Sequence, residues 1–257
     1  MYNVGIFIPI YFREELVKKC LLSLAKSKFT YGNSLKVFLC IGINGASKEF
    51  KEGFLKEYVD KYKGTLFTYI KVFDVGVNLG KPKMINHMTE ICSDFTHMVS
   101  MDSDMELVDP DWLYKFLKVF HDYKGEQRIG ALCSNQTGYG VHTATKYKFM
   151  KYKTGDFTLI ATLKNVGIAG GVLITPNNIW KKIGGYQAYS VYGSDDGCYA
   201  ADCFNRHWIM AYVEEIKFYH PNEDNMDYAQ WKLRATEDKL SDSELDGHFE
   251  KLRNESI

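Results

Sequence analysis

The stretch THMVSMDSDMELVDPDW, Thr96 to Trp112, places Asp102 and Asp104 one residue apart, directly after the apolar run Met98–Met101. In an extended or bent segment residues i and i+2 point to one side, so both carboxylates can approach one point. Two acids so close to a buried strand repel each other and lose solvation. Hard divalent cations prefer oxygen ligands of this kind. The same residues also read as an acidic turn that ends a strand and leads into the next helix. Asp109 is placed to cap that helix and Pro110 suits its first position, so the earlier pair is not needed for capping.

Three other groups could carry chemistry. Asp195 and Asp196 open the segment DDGCYAADCFNRHW, where acids at a helix start would by themselves be ordinary. His220 ends the strand-like MAYVEEIKFYH. In KYKFMKYKTGDF, Lys146, Lys148, Lys151 and Lys153 interleave with Tyr147, Phe149 and Tyr152. Lysines alternating with aromatics suit contact with a polyanion, and they equally suit the solvated face of a hairpin.

The elements that must position these groups follow from hydrophobic spacing. VGIFIPI (4–10), LKVFLCIGI (35–43), LFTYIKVF (66–73), THMVSM (96–101) and RIGALCS (128–134) are short apolar runs that read as buried strands. Residues 13–27, 47–62, 81–92 and 110–123 have helical spacing. This alternation predicts an α/β domain with a mostly parallel central sheet and helices on both faces. Ligands in such sheets bind beyond the carboxyl ends of the strands, which is where Asp102 and Asp104 fall. The second half is less regular. Residues 138–165 read as loop or hairpin, 170–186 as strand, Pro-started helix and Gly-Gly stop, 195–208 as helix, and 210–220 as strand. A single domain over 1–221 is expected, with a regular first half (1–134), a less regular second half (135–221) and a helical tail (222–257).

The chain has 257 residues and no net formal charge, so no global field draws it to nucleic acid or anionic membrane. No apolar run approaches the roughly 20 residues that span a bilayer. The N-terminus lacks the pattern of a signal peptide. Six cysteines are scattered without a Cys-x-x-Cys pair and read as reduced core residues of a cytoplasmic protein.

Six segments in order resemble the family-two, GT-A type glycosyltransferases: IPIYFREELVKKCLLSL, VNLGKPKMIN, MDSDMELVDPDWL, GGVLITPNNIWKKIGGY, YGSDDGCYA and KFYHP. Each is weak alone, but the ordered set covers residues 4 to about 221. The resemblance implies a GT-A (Rossmann-like) fold, a nucleotide-sugar donor, a divalent cation (Mn²⁺ or Mg²⁺) and inversion at the anomeric carbon. Asp104 would be a direct metal ligand and His220 a further one. Asp102 would hold ribose hydroxyls or a metal-bound water, beside Ser103. Aligned on Gly193, the general base is Asp195, the favoured assignment; aligned on the acid pair alone, it is Asp196. Pro9 and Tyr11 would touch base or ribose. Ile43 or Asn44 stands where the family often has an Asp that reads uracil, a departure that bears on UDP preference; Asn44 could hydrogen-bond an imide in either direction. Asn78, Gly80 and Lys81 would line the base and diphosphate, with Lys81 as a phosphate partner. Gly170 and Gly171 would let the chain approach donor sugar or acceptor, and Tyr186 would stack on a sugar or fill the core.

The reaction implied is a single displacement from a nucleotide sugar, a UDP-sugar by preference, onto an acceptor hydroxyl. Two acceptor classes fit: a glycan, or a hydroxylated nucleic-acid base reached through the lysines of 146–153. A nucleotidyltransferase and a non-catalytic nucleotide-sugar-binding module are the other readings of the same sheet and acids.

Overall fold

The computed structural model describes residues 1–30, 34–138, 149–162, 170–187 and 195–221. The expected tail, Gly193, Ser194, Lys146 and Lys148 lie outside them. β1 (Tyr2–Tyr11), β2 (Leu35–Gly45), β3 (Tyr69–Asp74) and β4 (His97–Met101) form a parallel set in the order β3-β2-β1-β4. α1 (Glu14–Leu24) follows β1. α2 (Lys48–Phe50) continues through a π-helical turn (Lys51–Leu55) into α3 (Lys56–Tyr62). α4 (Gly80–Ile91) precedes β4. After the short β5 (Glu106–Leu107) come α5 (Trp112–Asp122), β6 (Ile129–Gly138) and the hairpin β7 (Phe149–Thr154) and β8 (Phe157–Thr162). β9 (Val172–Pro176), α6 (Asn177–Ile183), α7 (Asp195–Asn205) and β10 (Ile209–His220) complete the described chain.

Beyond β4 the sheet becomes mixed. β9 runs antiparallel between β4 and β6, β10 is parallel to β6, and β8 and β7 close that edge antiparallel. One sheet thus joins the two halves expected from sequence. The antiparallel β9 brings its starting residues, not its end, to the edge where β1, β2 and β4 finish.

Alternation along the strands feeds two cores. Ile6, Ile8 and Ile10 pack with Val17, Leu21, Tyr58, Trp112 and Phe116 under α1, α3 and α5. Phe7, Met98 and Leu173 pack with Met84, Ile85, Ile179, Trp180 and Tyr199 under α4, α6 and α7. Strands so enclosed on both faces explain the continuous apolar runs. Gly42 is required by this layering, because a Cβ there would stand 2.5 Å from Met84 Cγ in α4.

One helix starts later than its sequence suggests. α5 begins at Trp112, two residues beyond Pro110. The Asp109 carboxylate accepts the Asp111 N–H at 3.1 Å and its carbonyl accepts the Trp112 N–H, forming a lead-in turn ahead of the helix. Asp109 still satisfies backbone donors here, so Asp102 and Asp104 remain uninvolved in the helix start.

Candidate active site

The four parallel strands diverge at β1, with β2 on one side and β4 on the other, and the sequence-predicted residues gather at this switch point. The divergence has a local cause. Pro9 has no N–H to give a ladder, and β1–β4 pairing ends at Phe7 with Ser100. Pro9 is itself buried within β1, paired in register with Gly42, so it shapes the gap rather than facing a ligand. Past Met101 the chain turns, with the Asp102 N–H donating to the Gly171 carbonyl at 2.8 Å and the Met105 N–H to the Asp102 carbonyl. Ser103 lies half-buried in this turn. β5 then pairs with Phe218 and Tyr219 of β10, which carries His220 back over the turn.

The two aspartates face different partners. Asp104 lies between Arg13 (Nη1 to Oδ2, 3.2 Å) and His220 (Nε2 to Oδ1, 3.5 Å). Burial pushes the Asp104 carboxyl up, but His220 and Arg13 outweigh it and hold the carboxyl below its usual range. Burial likewise opposes charge on His220, and the Asp104 carboxylate overcomes this and raises the imidazole. Asp102 turns to Lys81, with Nζ 2.7 Å from Oδ1. Burial, together with repulsion from Asp104 and Asp195, pushes Asp102 up to about 6 against the pull of Lys81.

Lys81 is the second residue of α4, whose first residue, Gly80, has φ 72 and gives its N–H to Asn78 Oδ1 at 2.9 Å. A side chain other than Gly is strained in that conformation. The ammonium of Lys81 also lies 2.8 Å from Asp195 Oδ2 at the start of α7. Burial works against the Lys81 charge, and Asp102 and Asp195 more than offset it. Asp195 is buried, which raises its carboxyl; Lys81 reverses the effect and leaves it lowered. The expected phosphate partner is thus held between two carboxylates.

Asp196 has other duties. Its Oδ2 accepts the Gly170 N–H at 3.0 Å and its Oδ1 the Gly197 N–H at 2.8 Å. The glycines expected to admit a ligand instead admit the protein. A Cβ on Gly170 would lie 2.9 Å from Asp196 Cβ, and one on Gly171 would lie 2.5 Å from Gln136 Nε2 and 2.7 Å from Met105 Sδ. Tyr186 is likewise core and not a sugar platform: it is 3% exposed, edge-on to Trp180 at 5.0 Å and to Tyr199 at 5.8 Å.

Beside the carboxylates, at the ends of β1, β2 and β3, a cleft of about 280 Å³ is lined by Tyr11, Phe12, Asn44, Lys51, Asp74 and Asn78 among others. Asn44 is buried and its carboxamide oxygen accepts the Leu79 N–H at 3.0 Å. One lone pair of its oxygen is thus taken up, and its two amide donors and the second lone pair remain for a ligand. Two groups here escaped the sequence reading. Arg13 and Phe12 have φ 52 and 47, a left-handed pair that folds the arginine toward Asp104 and leaves Phe12 exposed at the cleft. Two successive non-glycine residues in that region store strain of about 1–3 kcal/mol each. An arginine just past a buried strand was the visible signal for the first. The other is the Asp74–Lys51 ion pair at 2.8 Å on the cleft rim.

The basic strand stands apart from this site. Lys151 and Lys153 are both exposed on one face of β7, with Met150 and Tyr152 on the other, as alternation predicts. β7 reaches the sheet through β8, which pairs with Ala211–Val213 near the start of β10. Measured along the paired β6, where the partners of Ala211 to Val213 lie four to six residues from the partner of His220, that is about 13–20 Å from His220.

Asp104 and His220 converge as one oxygen and one imidazole nitrogen, a donor set that fits a divalent cation and suits Mn²⁺ better than Mg²⁺. Among the described residues no cluster of three or more His, Cys, Asp or Glu converges. Asp102, tied to Lys81, does not join the pair.

Residues 5–172 match the profile of glycosyl transferase family 2. The chain belongs to that family. No curated protein matches the chain at a significant level. Among solved structures it is similar to the mannosyltransferase PcManGT from Pyrobaculum calidifontis in complex with GDP-Man and Mn²⁺, at 13% identity and TM-score 0.65 over 98% of this chain and 64% of that one. Residues 1–349 of S. aureus TarS with UDP-GlcNAc align at 12% identity and TM-score 0.61, over 96% and 70%. GalNAc-T7 with UDP, GalNAc and Mn²⁺ aligns at 11% and 0.65, over 92% and 48%. The fold is therefore that of the GT-A glycosyltransferases, and the chain spans under two thirds of the mannosyltransferase's length. Among the described residues no helix is long and apolar enough to cross a membrane.

Proposed function

We propose that this chain transfers a sugar from a nucleoside-diphosphate sugar to an acceptor hydroxyl with inversion, assisted by a divalent cation. The observation that carries this reading is the separation of two charge systems at one sheet edge: Arg13–Asp104–His220 on one side, and Asp102–Lys81–Asp195 on the other. Asp104 and His220 would hold Mn²⁺ or Mg²⁺, which supplies Lewis-acid neutralisation of the departing diphosphate. The cleft formed by Tyr11, Phe12, Asn44 and Asn78 would take the base and ribose, and Asp102 and Ser103, in the turn after β4, would meet the ribose from outside that lining. Asp195 would accept the proton of the attacking hydroxyl. Its neighbour Asp196 has both oxygens bound to backbone N–H groups, which supports Asp195 over it.

The acceptor is a hydroxyl on a glycan. The position of β7 as the edge strand of the sheet, two strands beyond β10, favours this over the nucleic-acid alternative. A screen of UDP-, GDP-, CMP- and dTDP-sugars with Mn²⁺, following donor binding and slow hydrolysis, tests the function. Binding of at least one nucleoside-diphosphate sugar is expected, lost on Asp104→Ala. If no donor binds with any metal, the enzyme reading is wrong.

A further inference from the structure

One ammonium serves two carboxylates from different elements at the centre of the site. Lys81 Nζ lies 2.7 Å from Asp102 Oδ1 and 2.8 Å from Asp195 Oδ2, on a side chain only 15% exposed. Both contacts are at the distance of charge-assisted hydrogen bonds, so one ammonium is divided between two carboxylates. The other basic groups facing the acidic turn, Arg13 and His220, are already on Asp104. An ion-paired carboxylate is a poor proton acceptor, because the neighbouring positive charge favours its ionised form. Lysine is a compact charge on a flexible stem and can change partner without moving its helix. A diphosphate presents more charge than a single carboxylate and competes well for such a group.

We propose that Lys81 is shared between Asp195 and the donor diphosphate, so that donor binding draws the ammonium away and frees Asp195 to act as base. This rests on the nucleotide-sugar reading and on Asp195 as the base. It makes donor occupancy a condition for activating the acceptor, and predicts that donor binds before acceptor is deprotonated. Coupling of this kind is reciprocal: what the nucleotide does to Asp195, Asp195 must do to the nucleotide.

The test is a double-mutant cycle read by calorimetric binding of UDP, of GDP and of dTDP in Mn²⁺, with no acceptor needed. Asp195→Asn removes the competitor for Lys81 and is expected to tighten the diphosphate that binds by roughly three- to tenfold, within the range for directly coupled residues. In the Lys81→Met background the same substitution is expected to change nothing. Lys81→Met alone is expected to weaken that diphosphate far more than the corresponding monophosphate. A merely structural role for Lys81 would not make the loss of Asp195 tighten anything. Unchanged or weaker binding in Asp195→Asn overturns the proposal, as does tightening that persists in Lys81→Met. Should Asp195→Asn fail to fold, Asp195→Ala repeats the cycle with a side chain that cannot pair. If wild type binds none of UDP, GDP and dTDP, this proposal falls, and the nucleotide-sugar reading falls with it only if the donor-sugar screen is also blank.

Discussion

Asp195 and Asp196 are adjacent, acidic and at one helix start, yet their surroundings divide them. Asp196 has both oxygens on the backbone N–H groups of Gly170 and Gly197, while Asp195, also reached by backbone N–H groups at the helix start, carries in addition the ammonium of Lys81. Asp195→Asn should therefore lower sugar transfer by about 10²–10⁴-fold while the variant still binds nucleotide. Asp196→Asn keeps one acceptor oxygen and should cost far less. Steady-state transfer rates for both variants check this, and the reverse ranking would move the base to Asp196. At another residue the consequence concerns stability. His97 is buried in β4 between the rings of Tyr2 and Phe120, and burial pushes its imidazole down to about 4. The unfolded chain takes up that proton near pH 6.5, so between there and pH 4 the unfolded state binds more protons. Stability should fall as pH drops through this window, by about 2 kcal/mol between pH 7 and pH 5 from this residue. Urea unfolding at the two pH values should show the drop in wild type and a smaller one in His97→Gln.

Elements convert these residues into a site, and their legibility in the sequence was uneven for physical reasons. Strands buried on both faces leave continuous apolar runs, so β1, β2, β3 and β4 and the helices between them fell close to their expected places. The antiparallel entry of β9 left no such mark, because GGVLITP reads the same in either direction. Asp102, Asp104, Asp195 and His220 were found from type, position and family likeness. Their pairing was not legible: Lys81 meets its two carboxylates only through the packing of α4, the β4 turn and α7. The ends of β6 and β10 show how closely such packing is set. Gly138 has φ 89, and a Cβ there would stand 2.0 Å from the His220 carbonyl oxygen. Gly138→Ala is strained twice, by conformation and by contact. It should cost about 1–3 kcal/mol and weaken Mn²⁺-dependent nucleotide binding by displacing His220. Gly155→Ala, in the β7–β8 turn with φ 56, should share the conformational cost without the binding loss. Chemical denaturation and calorimetry on the pair separate the two effects.

At the scale of the whole molecule, every group assigned to the donor sits on one edge of a single sheet, and that sheet separates two apolar cores. β1, β2, β4, β9, β10, α4 and α7 all contribute to the edge, so a ligand there bridges elements from both halves of the chain. Binding that is confined to the folded state must then raise global stability by mass action, about 2.7 kcal/mol at a hundredfold excess over Kd. For a chain of this size that corresponds to a rise in Tm of about 5–10 °C. Mn²⁺ alone should give a small shift, because among the described residues only Asp104 and His220 converge as ligands. Mn²⁺ with the cognate nucleotide should give the large one, and EDTA should reverse it. Asp104→Ala should lower the nucleotide-free Tm, because Arg13 and His220 are only 17% and 13% exposed and lose their carboxylate partner. The variant should also lose the joint metal and nucleotide increment. A full-size shift in Asp104→Ala would place the metal elsewhere in the molecule and remove Asp104 from the site.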